Sequence, residues 1–124
     1  MVPRAKPPTR AQRLVIRIVP IGTALTDAVP IPLEEGVRTL VGRESVGPIG
    51  SVMDALEAEF PDVGREHMYL TARGQEVEID DNSQFGTWVD GRRLGRGEPV
   101  SLRVPVTLRL ASGCIVEVRL ERTP

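Results

Sequence analysis

The side chains able to do chemistry are few. His67 is the single histidine and Cys114 the single cysteine of the chain, so neither a multi-histidine metal site nor an internal disulfide can form, and no metal or other cofactor is expected. An acid–base role for His67 would need a nucleophile that the sequence does not offer. Asp80, Asp81 and Asp90 flank a strand end and turns, where aspartate is ordinary, and do not read as a catalytic or metal cluster. Arg92, Arg93 and Arg96 gather around one hairpin without interleaved aromatics, which is not the pattern of a nucleic-acid surface. With 16 Lys plus Arg against 17 Asp plus Glu, no overall field draws the chain to nucleic acid or an anionic membrane. An anion site must therefore be local, built from guanidinium forks and hydroxyl or backbone donors on a rigid platform.

A chain of 124 residues is the size of one domain with a real core. Its apolar runs are short and broken by Arg, Glu or Pro, too short to span a bilayer, and no apolar stretch follows the basic N-terminus as a secretory signal would require. A cytoplasmic protein is the expectation. Cys114, set among valines, reads as a buried free thiol.

The elements that must position a site follow from periodicity. Residues 1–12, MVPRAKPPTRAQ, are basic and Pro-rich and read as a disordered tail. From Arg13 the pattern has period two: Leu14, Ile16 and Ile18 alternate with Val15, Arg17 and Val19, as in a strand with one buried face. The exposed Val15 and Val19 would then mark a weak contact surface. Alternation recurs at Val77 and Ile79, at Val106, Leu108 and Leu110, and at Val116, Val118 and Leu120. Turn signals fall between these runs at Pro20 to Gly22, Asp90-Gly91, Gly95 to Gly97 and Ser112-Gly113. Asp90-Gly91 marks a tight hairpin, and Trp88 before it reads as a core or inter-sheet anchor. One stretch departs: in SVMDALEAEFP, Met53, Leu56 and Phe60 share a helical face, Ser51 can cap, Asp54 completes a capping-box spacing and Pro61 stops the helix. The reading is all-β, two antiparallel sheets with one short helix in a loop.

Three stretches, in order, carry a family resemblance: Val41-Gly42-Arg43, then Gly64-Arg65-Glu66-His67, then the run from Asp81 to Gly91, DNSQFGTWVDG. Together they resemble the forkhead-associated (FHA) domain, whose pattern is Gly-Arg, then Ser-x-x-His, then Ser-x-Asn-Gly-Thr-x-x-Asn-Gly. The resemblance places an FHA domain at 13–124 and implies a β-sandwich that binds phosphothreonine in a partner protein through loops at one end. It implies that Arg43 contacts the phosphate, that Arg65 adds a second contact, and that His67 is structural. Gly42, Ser83, Gly86 and Thr87 match the framework supporting the site. In the family architecture the arginine-rich hairpin would point away from the peptide.

Two departures stand out. Gly64 occupies the place of the family serine and lacks its hydroxyl donor. Phe85 occupies the place of the asparagine that grips the peptide backbone, with Gln84 beside it able to offer an amide. The expectation is a non-enzymatic, phosphothreonine-dependent module in bacterial-style Ser/Thr kinase signalling. Its ligand contacts would come from Arg43, Gly64, Arg65, Gln84 and Phe85. The alternative is a degenerate scaffold that binds proteins without phosphate. Neither nucleic acid nor membrane is an expected partner, and oligomeric state is open.

Overall fold

The computed structural model describes residues 12–19, 27–56 and 58–122. Of the tail expected over residues 1–12, residues 1–11 lie outside the described residues, as does the turn from Pro20 to Gly22, while Gln12 is already the first residue of a strand. The strands are β1 (Gln12–Val19), β2 (Ile31–Pro32), β3 (Arg38–Val41), β4 (Met68–Arg73), β5 (Glu76–Asp81), β6 (Thr87–Val89), β7 (Arg92–Arg93), β8 (Val100–Arg103), β9 (Val106–Leu110) and β10 (Cys114–Arg122); helix α1 is Gly47–Leu56.

Leu14, Ile16 and Ile18 lie on one face of β1, and the register pairs Ile16 with Val118 of β10, whose neighbour Val116 in turn faces Leu108 of β9. This row packs against Met68 and Leu70 of β4 and Val77 and Ile79 of β5, all fully buried in one cluster. Each such side chain contributes about 1.5–3 kcal/mol by leaving water, so the frame behind the loops is the rigid part. The strands form two antiparallel sheets, ordered β2-β1-β10-β9-β6-β7 and β3-β4-β5-β8, the sandwich expected from the alternation.

Three details correct the sequence reading. Val15 is buried at 5 % exposure, because β1 is flanked on both edges, by β10 and by β2, where Val15 meets Pro32. Helix α1 begins a turn earlier than Ser51: Gly47-Pro48 opens it, proline suiting a first turn that needs no N–H, and the Ser51 hydroxyl donates back to the Gly47 carbonyl at 3.3 Å as an interior serine does. The helix also ends before Pro61. The Glu59 and Phe60 amides both donate to the Leu56 carbonyl, so Phe60 enters the core from the following turn while Ile49, Met53 and Leu56 supply the helix's buried stripe.

The Asp90-Gly91 hairpin is present, with positive φ at both residues (50° and 78°) and Trp88 opposite Arg93. Trp88 itself is not a core anchor. It sits half-buried between the inward residues Thr87 and Val89, paired with Arg109, whose guanidinium lies 4.8 Å from the ring centroid, a cation–π contact on the outer face of the sheet.

Candidate functional site

Antiparallel pairing brings four connections to one end of the sandwich: the loop after β3, the loop before β4, the loop from β5 to β6, and the loop from β7 to β8. The first two are laced together by main chain. The Arg43 amide donates to the Gly64 carbonyl at 3.0 Å and the Glu44 amide to the Arg65 carbonyl at 2.9 Å, while Arg43 Nε donates to the Val63 carbonyl at 2.7 Å. Glycine is required at 42 for this approach: a Cβ there would fall 2.7 Å from both the Gly64 carbonyl oxygen and the His67 amide nitrogen. Ser45 completes the turn, accepting from the Gly42 amide at 2.9 Å and donating to the Leu40 carbonyl at 2.8 Å.

His67 ties the second loop to the third. Its Nδ1 accepts from the Gly64 amide at 2.9 Å, so the ring proton sits on Nε2, which donates to the Gly86 carbonyl at 2.8 Å. The ring is fully buried, and that burial, above all, pulls its pKa below 6.5. A proton on Nδ1 would set two donors face to face at Gly64. The unfolded histidine takes a proton near pH 6.5 and the folded one resists it, so the His67 contribution to stability is present above about pH 6.5 and is lost as the pH falls toward the lowered native value. Being the only histidine, it gives one unambiguous imidazole signal: NMR is expected to show the Nε2–H tautomer and a midpoint below 6.5. An Nδ1–H tautomer or a raised midpoint would contradict this network.

The third loop is organised by a residue that sequence reasoning passed over. Asp81 is 1 % exposed, and its Oδ1 accepts from the Ser83 amide at 3.0 Å, the Ser83 hydroxyl at 2.6 Å and the Thr87 hydroxyl at 2.9 Å. Ser83 Oγ then accepts the Gly86 amide at 2.8 Å. Gly86 has φ of 100°, and a Cβ there would meet Trp88 Nε1 at 2.6 Å, so the position admits only glycine. Asn82 locks this loop to the second one, its amide donating to the His67 carbonyl at 2.9 Å and its side chain to the Glu66 carbonyl at 3.1 Å. Asp-x-Ser was the available signal for this turn.

These loops surround an open depression of about 540 Å³ lined by Arg43, Gly64, Arg65, Ser83, Gln84 and Arg96, among others. Four of the five expected ligand-contact positions thus meet on one surface. The fifth, Phe85, is on the same loop, 53 % exposed, and outside the lining. Gly42, His67, Gly86 and Thr87 lie behind it. Arg96 is the unexpected member, and it overturns the reading that the arginine-rich segment points away. Asp90-Gly91 is not among the lining residues, but the short β7 leads the chain to the site, where the Gly97 amide donates to the Asp81 carbonyl at 2.8 Å and Arg93 donates to the Gln84 carbonyl at 3.0 Å. Cys114 is buried and unpaired, its thiol pushed up to about 12 by burial first and then by the charges of Asp62 and Glu59, and so has no nucleophilic character.

Comparison with known proteins agrees with this architecture. No curated protein sequence matches the chain. Among solved structures, a domain from a structural and functional analysis of phosphothreonine-dependent FHA domain interactions is 19% identical, with a TM-score of 0.61 over 90% of this chain and 99% of that one. The MEK1 FHA domain is 15% identical, with a TM-score of 0.64 over 88% and 90%. Rv1747 FHA-1 of Mycobacterium tuberculosis is 17% identical, with a TM-score of 0.60 over 89% and 99%. At such identities the likeness shows the fold. The family model described as FHA domain matches residues 39–117, which takes in every loop of the depression, and the chain belongs to the FHA domain family.

Proposed function

We propose that the chain is a phosphothreonine-dependent protein-binding module acting in cytoplasmic Ser/Thr kinase signalling, and that it catalyses nothing. The observation that carries this reading is the meeting of Arg43, Arg65 and Gln84, from three separate loops, on one solvent-open depression. A phosphate with about −1.5 to −2 charge is matched by guanidinium forks and amide donors held on loops that cannot drift apart. A related fold, the MEK1 FHA domain, has been solved with a HOP1 phosphothreonine peptide. No helix among the described residues is long and apolar enough to cross a membrane.

Titration with a degenerate phosphothreonine peptide pool and its unphosphorylated twin tests the proposal: binding is expected to require the phosphate. Gly64 supplies a sharper test. A Cβ there meets nothing nearer than His67 atoms at 3.6 Å, ordinary van der Waals contact, so Gly64→Ser fits without strain. The added hydroxyl donor to a charged group is worth about 1.5–3 kcal/mol, and Gly64→Ser is expected to bind the phosphopeptide about ten-fold tighter or more. Unchanged affinity would show that the phosphate does not sit beside residue 64. A second reading, phosphate-independent docking, is favoured by the exposure of Phe85 and Val46, at 53 % and 87 %, on the site loops; equal binding of both pools would establish it.

A further inference from the structure

Five side chains form a row across the outer face of the six-stranded sheet. The register sets Val19 of β1 opposite Ile115 of β10, Ile115 opposite Arg109 of β9, Arg109 opposite Trp88 of β6, and Trp88 opposite Arg93 of β7. Four strand spacings make the row about 19 Å long. Val19, Ile115, Arg109 and Trp88 are half-buried and Arg93 is exposed, and none of the five lines the depression. The row is aliphatic at one end and cationic and aromatic at the other. Along the chain no aromatic separates the hairpin arginines from the next; across the sheet Trp88 stands between two of them.

These two arginines differ from their neighbours. Elsewhere on the same face Arg17 pairs with Glu121 at 2.8 Å and Arg119 with Glu117 at 3.6 Å. Arg109 and Arg93 have no carboxylate partner among the ion pairs of the described residues. The acidic residues of the hairpin and its exit do not serve them: Asp90 and Glu98 form no such pair, and the Glu98 carboxylate lies against Gly95. Each guanidinium is instead held by one hydrogen bond to a main-chain carbonyl, Arg109 Nη1 to Ala111 at 2.6 Å and Arg93 Nη2 to Gln84 at 3.0 Å, and Arg109 also lies 4.8 Å from the Trp88 ring centroid. A carbonyl satisfies a donor without neutralising the charge. Two oriented guanidinium groups therefore flank Trp88, their strands about 10 Å apart, with donors to spare.

We propose that this row docks an acidic, amphipathic segment of a partner protein, its carboxylates on Arg109 and Arg93 and its aliphatic side chains on Val19 and Ile115. Tryptophan and arginine carry most of the energy where a protein partner buries them, and two uncompensated charges are complemented by carboxylates from that partner. A nucleic-acid strand matches less well, because its phosphates gain nothing from Val19 and Ile115 and Arg109 already covers a ring face on which a base would stack. The contact needs no phosphate and is independent of the phosphothreonine reading.

Trp88 is the only tryptophan of the chain, so its fluorescence reports on the row directly. The probe is a short synthetic peptide with leucine and valine in one half and aspartate and glutamate in the other, titrated into the full chain beside a counterpart with lysine at the acidic positions and an oligothymidylate. A saturable change is expected with the acidic peptide alone. Arg93→Glu is expected to weaken that binding about ten-fold and to gain the lysine counterpart, an exchange that a displaced Gln84 loop would not produce. Arg103→Glu, the same reversal on exposed β8 of the other sheet, is expected to change neither titration, and a saturating phosphothreonine peptide pool to displace nothing. The proposal is overturned if the acidic peptide gives no saturable response, if Arg93→Glu binds it as the wild type does, or if Arg103→Glu loses as much. Displacement by the phosphothreonine pool would place the peptide in the depression instead, and a preference for the oligothymidylate would assign the row to nucleic acid; either result also overturns it.

Discussion

Asp81→Ala is expected to remove about 3–5 kcal/mol of stability, because leaving a buried donor unpaired costs about 1–3 kcal/mol and one oxygen of Asp81 serves three of them. Domains of this kind are stable by only about 5–15 kcal/mol, so the variant would stand near the edge of folding. The loss would not be confined to the aspartate: Ser83 Oγ, once released, no longer fixes the Gly86 amide, and Gly86 is the residue whose carbonyl receives His67. Asp81→Asn keeps a carbonyl oxygen in place of Oδ1 and is expected to recover most of the stability. Urea denaturation of the pair checks this. An alanine variant within about 1 kcal/mol of wild type would mean that the hydroxyls find other partners and that Asp81 is not the organiser of the loop.

Much of this was legible in the sequence. The alternation at Leu14, Ile16 and Ile18 and again at Val116 and Val118 specifies a half-buried strand whatever its partner, and both stretches pair in the register that alternation demands. Asp90-Gly91 specifies a turn by its own dihedral preferences. Neither property depends on distant contacts. What was hidden depends on them. Val15 has the same local pattern as an outward residue, and only its central place between β2 and β10 buries it. Asp81 looks like any turn aspartate until Ser83 and Thr87 fold back onto it. Arg96 was misplaced because the hairpin was read as a single location, whereas the chain leaves the two-residue β7 toward the depression, where the Gly97 amide meets the Asp81 carbonyl. The extent of α1 was missed because Gly47-Pro48 looks like a breaker, yet proline is at home in a first helical turn.

The largest expected effect on binding belongs to Arg43. Its backbone is fastened to the Gly64 carbonyl and its Nε to the Val63 carbonyl, so the guanidinium is presented to the depression already oriented and loses little freedom when an anion arrives. Arg43→Lys retains the charge but not the fork, and is expected to lose much of the affinity. Arg43→Ala removes both, and a charge-assisted bidentate contact of this kind supports a loss of about a hundred-fold or more. Stability is a weaker discriminator, since Arg43 is only half-buried at a loop.

The most direct measurement is therefore calorimetric titration of the phosphothreonine pool into wild type and a folded Arg43→Ala variant, with the unphosphorylated pool as control. Binding is expected to need both the phosphate and Arg43. Binding that survives in Arg43→Ala, or that is equally strong without the phosphate, would contradict it and assign the domain to phosphate-independent protein docking.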